Sequence, residues 1–170
     1  MRRRHAVAVF VNLVLAVGSW AAVVYFYPTL PEQVPTHFGF HGPPNAWGSK
    51  ETMFLLPAVQ TALVLLLVAL GLLVERCPGI YNFPVDPRKL SEEGRAELYS
   101  STRSFLLSQG ILMNLLFGYI QLTTIQVALD CRWWRRGWAA AGINGGIMAF
   151  LLCSIFGVVA YYFVKQRRLH

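Results

Sequence analysis

The stretch Met53-Phe-Leu-Leu-Pro-Ala-Val-Gln-Thr-Ala-Leu-Val-Leu-Leu-Leu-Val-Ala-Leu-Gly-Leu-Leu-Val74 runs for 22 residues without an Asp, Glu, Lys or Arg. A bilayer core needs about 20 apolar residues in helix to cross it, because a helix rises about 1.5 Å per residue and satisfies its own backbone hydrogen bonds. Three further stretches meet the same test: residues 6–26, 105–129 and 138–164. The sequence therefore predicts an all-α integral membrane protein of four transmembrane helices. The rest of the composition agrees, with 55% hydrophobic and 14% charged residues and a mean hydropathy of +0.46 over 170 residues.

The first stretch has a rival reading as a secretory signal, with Arg2, Arg3 and Arg4 ahead of an apolar run and Ser19-Trp20-Ala21 as a cleavage site. Its apolar run continues through Val23, Val24, Tyr25 and Phe26, longer than a signal core, so an uncleaved anchor is expected.

Orientation follows the basic residues. Residues 2–4, 75–104 and 165–170 hold three, five and three of the fifteen Lys and Arg; Lys50, Arg132, Arg135 and Arg136 make up the rest. Both termini and the 75–104 loop are therefore expected in the cytoplasm, and residues 27–52 and the Trp- and Arg-rich stretch 130–137 outside. A net charge of +7 distributed in this way is topological, and nucleic-acid binding is not expected. Cys77, Cys131 and Cys153 show no paired spacing, which argues for free thiols.

One membrane domain is expected, with residues 27–52 as an ordered outer cap and 75–104 as a cytoplasmic loop. In that loop Pro78, Pro84 and Pro87 exclude regular helix, whereas Ser91 followed by Glu92 and Glu93 reads as the capped start of a helix that runs into the third span. Small and polar residues recur at helical spacing inside the spans: Asn12, Ala16 and Ser19 in the first; Gly110, Asn114, Gly118 and Gln121 in the third; Gly142, Gly146, Ala149, Cys153 and Gly157 in the fourth. Such residues pack helices together in lipid.

The distinctive stretch is the cap, Tyr27-Pro-Thr-Leu-Pro-Glu-Gln-Val-Pro-Thr-His-Phe-Gly-Phe-His-Gly-Pro-Pro-Asn-Ala-Trp-Gly-Ser-Lys50. Pro28, Pro31 and Pro35 favour extended backbone, Gly39, Gly42 and Gly48 permit turns, and little entropy is lost on ordering such a chain. His37, Phe38, His41, Trp47 and Lys50 are the candidate ligand-binding residues. His37 and His41, joined by Glu32 and Glu51, form a weaker candidate metal set, because the glycines and prolines between them oppose the helix that would align the two imidazoles. No nucleophile elbow, H-E-x-x-H or pair of intramembrane acids is found, so no catalytic residue and no cofactor is assigned.

Leu30-Pro31, Val34-Pro35-Thr36-His37-Phe38, Gly42 and Trp47-Gly48-Ser49-Lys50 resemble the extracytoplasmic signature of the SdpI-type bacterial membrane proteins, and Tyr81-Asn82-Phe83-Pro84-Val85 resembles that family's cytoplasmic loop. The resemblance covers roughly residues 1–125; the family's second motif does not appear after it. It implies a bacterial cytoplasmic-membrane protein that recognises an extracytoplasmic peptide and protects the cell or signals to it. Two other functions fit the residues: an accessory subunit docked in lipid to a membrane protein partner such as a transporter, and an outer-face metal-dependent enzyme using the His37, His41, Glu32 and Glu51 set.

Overall fold

A computed structural model describes residues 3–39, 44–129 and 138–167. Its elements are α1 (Arg3–Phe26), β1 (Gln33–Phe38), β2 (Pro44–Ser49), α2 (Leu55–Leu73), α3 (Glu92–Ala128) and α4 (Trp138–Arg167), with 3₁₀ turns at Tyr27–Thr29, Lys50–Phe54, Pro78–Ile80 and Pro87–Lys89. Among the described residues four helices are long and apolar enough to cross a membrane. The helices run up, down, up and down, with α3 packed against α1, α2 and α4.

Helix α3 begins where its cap chemistry dictates. Ser91 Oγ accepts the Gly94 N–H at 3.1 Å, and Glu92 and Glu93 occupy the first turn, where negative charge meets the positive end of the helix dipole. It then continues unbroken for 37 residues, through the polar segment and the apolar one.

The last carbonyls of helix α2 have no partner within the helix and need others. Leu70 O accepts from the Tyr81 hydroxyl, Gly71 O from Arg103 Nε at 2.8 Å, and Leu73 O from the backbone N–H groups of Arg76 and Cys77 at 3.0 and 2.9 Å. These bonds tie the 75–90 loop and α3 to the end of the second span.

The cap departs from the all-α expectation. It is an antiparallel hairpin in which Gln33 pairs with Ser49, Val34 with Gly48, Pro35 with Trp47, His37 with Ala46 and Phe38 with Pro44. Pro35 argues against a strand only in a sheet interior; a two-stranded ribbon has nothing but edges, and the register shift between Pro35 and His37 absorbs the local mismatch. Gly48 permits the two strands to meet, since a Cβ there would lie 2.8 Å from Thr36 Cγ2.

Candidate functional site

The hairpin is rooted on the helix ends by an apolar cluster. Val23 of α1, Leu30, Val34 of β1, Met53 and Ile125 of α3 are all buried together, with Phe26, Phe54, Ala128 and Leu129 packed around them. Only one strand takes part. β1 packs on α3, whereas β2 exposes Asn45, Ala46 and Trp47, the last of them 52% exposed.

Polar contacts fasten the two ends of the ribbon. Lys50 Nζ meets Glu32 Oε1 at 2.8 Å and stands 5.3 Å over the Tyr27 ring, and its backbone N–H donates to Glu32 O at 3.1 Å. The Tyr27 hydroxyl donates to Glu51 Oε1 at 3.4 Å. His37 Nδ1 and Asn45 Oδ1 lie 2.5 Å apart across the strands. The hydrogen bond to Glu32 holds the Lys50 ammonium above its ordinary range, and hydrogen bonding to Ser49 holds the Glu51 carboxyl below its own. Three of the four candidate metal ligands are thus engaged with separate partners; His41 lies outside the described residues. Phe38 is half-buried opposite Pro44.

Beneath the hairpin a polar seam runs down the bundle. Asn12 Nδ2 donates to Ala8 O and Leu107 O at 2.9 and 3.0 Å. Asn114 Nδ2 donates to Asn12 O and Oδ1 at 3.2 and 3.1 Å, and Gln60 Nε2 donates to Asn114 Oδ1 at 2.7 Å. Gln121 Nε2 donates to Ser19 O at 2.7 Å. All five side chains are buried.

Backbone carbonyls fix which way Asn12, Asn114 and Gln121 face, because only an NH₂ group can approach a carbonyl oxygen. Gln60 follows, since it must donate to Asn114. The Ser19 hydroxyl then confronts two acceptors, Gln60 Oε1 at 2.8 Å and Gln121 Oε1 at 2.6 Å, with one hydrogen. The seam is one donor short at the turn of α1 that precedes Val23, the first hairpin-anchoring residue. An unmet buried acceptor costs about 1–3 kcal/mol, so the Ser19 hydrogen has two competing positions, one joining α1 to α2 and the other joining α1 to α3.

The glycines divide. Gly110 lies against the seam, where a Cβ would sit 2.5 Å from Asn12 Oδ1. Beside Gly118, Gly146 and Gly157 an added Cβ would meet nothing within 4 Å among the described residues. Gly142 belongs to α4, with nothing described around it; the 130–137 stretch with Cys131, Arg132, Arg135 and Arg136 lies outside the described residues. Cys77 and Cys153 are free and exposed.

Sequence reading missed two features. Gln60, with Trp20 donating to neighbouring Thr61 Oγ1 at 2.9 Å, stands alone in the most apolar span and has no helical repeat to reveal it. The second is at the opposite end, where residues 100–104, Ser-Ser-Thr-Arg-Ser, reach all three other helices. Ser101 and Thr102 donate to Leu98 O and Ser104 to Ser100 O, leaving their oxygens to accept. Arg4 donates to Ser100 Oγ at 2.8 Å, Gln166 to Ser101, Tyr162 to Thr102 at 2.9 Å and His5 Nε2 to Ser104 at 3.0 Å. Arg103, only 7% exposed, adds an ion pair to Glu75 at 3.0 Å.

The family-model match falls on the hairpin and its supports. Residues 14–61 match the model of a family described as a domain of unknown function, DUF1648. That interval begins within α1, contains the whole hairpin and ends just past Gln60. An uncharacterized protein of Archaeoglobus fulgidus is 37% identical over 92 residues, which cover 50% of this chain and 50% of that protein. The chain thus spans about half the length of that curated relative. No solved structure matches.

Proposed function

We propose that the chain is a non-catalytic membrane sensor or immunity-type protein that recognises an extracytoplasmic peptide on the free edge of its hairpin. The observation that carries this reading is the asymmetry of the ribbon: β1 packs on α3, while among the described residues nothing covers the outer edge of β2 beside an exposed Trp47. An unpaired strand edge offers backbone donors and acceptors to an extended peptide, and an aromatic beside it supplies apolar area. The excess of Lys and Arg at the other end of the bundle supports a hairpin facing outward and both termini facing the cytoplasm, in the cytoplasmic membrane. The likeness of the hairpin sequence to the SdpI-type signature supports the same assignment. Tension on the hairpin root would reach the bundle through Val23 and the Ser19 hydrogen, provided the peptide favours one of its two positions.

A second reading, an accessory subunit, is favoured by the open space beside Gly146 and Gly157 on α4, which a neighbouring membrane helix would fill.

Native mass spectrometry of protein purified in mild detergent from cells grown in medium containing secreted peptides separates the two. A peptide adduct that Trp47→Ala loses, with the variant still in the membrane, supports recognition at the hairpin. An adduct indifferent to Trp47→Ala and His37→Ala removes that reading. A co-purifying protein released by Gly146→Leu supports the subunit.

A further inference from the structure

Residues 78–88 fold over the first turns of α3 and line an open pocket of about 430 Å³ that the peptide reading does not use. One wall is aromatic: Tyr81 and Phe83 stack at 5.5 Å, and Phe83 meets Tyr99 at 5.8 Å. Arg88 and Arg95 also line it. The acidic lining residue, Asp86, accepts the backbone N–H of Arg88 at 3.0 Å and makes no ion pair with Arg88 or Arg95 among the described residues. The Arg88 side chain makes no ion pair among the described residues. Arg95 pairs through one terminal nitrogen with Glu92, whose side chain is 90% exposed, and its Nε–H is buried without an acceptor. Arg95 and Tyr99 face a second cavity of about 370 Å³ as well, which Arg103 and Ser100 also line.

The pocket's height in the bundle is set by the second span. The Tyr81 hydroxyl donates to Leu70 O in the last turn of α2, the apolar run ends at Val74, and Ile80 beside the pocket is 61% exposed. A cationic, tyrosine-walled pocket at this level meets the headgroup layer rather than hydrocarbon or bulk water.

From these observations we propose that the pocket binds a phosphate group, carried by an anionic phospholipid of the adjoining leaflet. A guanidinium fork matches two phosphate oxygens, Arg88 supplies a charge that makes no ion pair among the described residues, and the terminal N–H groups of Arg95 not taken by Glu92 supply further donors. The rings of Tyr81, Phe83 and Tyr99 pack against the glycerol and first methylenes. The inference does not depend on peptide recognition.

The test is native mass spectrometry of the full chain in detergent supplemented with phosphatidylglycerol, phosphatidylcholine or inorganic phosphate. The expected result is retention of phosphatidylglycerol over phosphatidylcholine, weakened roughly five-fold by Arg88→Gln and by a similar factor by Arg95→Gln, and unchanged in Lys89→Gln. Arg88→Gln removes a side chain that has no ion pair among the described residues, so an unaltered elution volume certifies the fold. If inorganic phosphate binds in the same arginine-dependent way while phosphatidylglycerol does not, the phosphate chemistry stands and its source is soluble. Equal retention of the two lipids, retention indifferent to both arginines, or equal weakening by Lys89→Gln overturns the proposal.

Discussion

At the hairpin end Val23, Leu30, Val34, Met53 and Ile125 meet with no charged group among them, whereas at the opposite end residues 100–104 present five polar side chains in succession, one of them the buried Arg103. The first is held by shape. It tolerates displacement, because apolar contacts weaken gradually as surfaces slide. The second is held by directed bonds to α1, α2 and α4, each lost as soon as its geometry fails. Between them lies the seam, polar and one donor short. This contrast predicts that the hairpin end yields to displacement more readily than the basic end.

The contrast is broken most severely in the middle. Gly110→Ala would drive a Cβ into Asn12, part α1 from α3 and disturb every bond that Asn12 shares with Asn114. Overpacking of this kind costs about 1–3 kcal/mol, with the hydrogen bonds adding up to about 1 kcal/mol each. Thermal unfolding in a fixed detergent should show the loss, while Gly118→Ala, Gly146→Ala and Gly157→Ala, which meet open space, should stay near wild type. Equal effects at all four glycines would mean that the seam is not a tight contact.

At the locked end the test is Arg103→Met. It leaves the Gly71 carbonyl without its donor and Glu75 without its partner, for about 2 kcal/mol once the partial exposure of Glu75 is allowed for. The 75–90 loop should loosen first, visible as faster amide exchange there than in the hairpin. Uniform loosening of both ends would erase the distinction between them.

How much of this was open to sequence reading follows from which signals are local. Four spans are legible because the absence of charge over about 20 residues is a property of the segment alone. Asn12, Ser19, Asn114 and Gln121 stand out as polar letters in apolar runs, and their helical spacing puts them on shared faces. Their partners do not stand out, because Gln60 joins the seam only through the way α2 leans on α3. The glycines of α4 share the spacing of Gly110 yet touch nothing described, since spacing says which residues share a face and not what that face meets. The hairpin was hidden by Pro35 and Gly48, which oppose an interior strand but not a two-stranded ribbon. Residues 100–104 fall in the helix expected to run into the third span, and only the approach of three other helices makes them a junction.

The seam's missing donor gives a finer comparison between two substitutions. Ser19→Ala removes the hydrogen that, among the described residues, alone serves Gln60 Oε1 and Gln121 Oε1, and leaves both unmet. Gln60→Met frees the Ser19 hydrogen for Gln121 and leaves one acceptor, Asn114 Oδ1, unmet, the same number as in the native chain. Ser19→Ala should therefore be less stable than Gln60→Met by about 1 kcal/mol. The opposite order would show that a further donor reaches the pair of glutamines.

The smallest effect belongs to the hairpin root and is one of pH. Hydrogen bonding to Ser49, with lesser help from Tyr27 and Lys50, holds the Glu51 carboxyl below its ordinary value of 4.5. A carboxyl depressed in the fold stabilises it above that ordinary value, and the contribution disappears as pH falls through the depressed one. Amide exchange in the hairpin should thus rise on acidification below 4.5, while exchange around residues 100–104, measured in the same sample, serves as the reference. Glu51 is exposed, so the melting temperature should hardly move; the effect is local opening rather than unfolding. Glu51→Gln has no such titration and should flatten the acid response of the hairpin relative to that reference. A response that survives the substitution would place the acid sensitivity on another group and leave the hairpin root held by its apolar cluster alone.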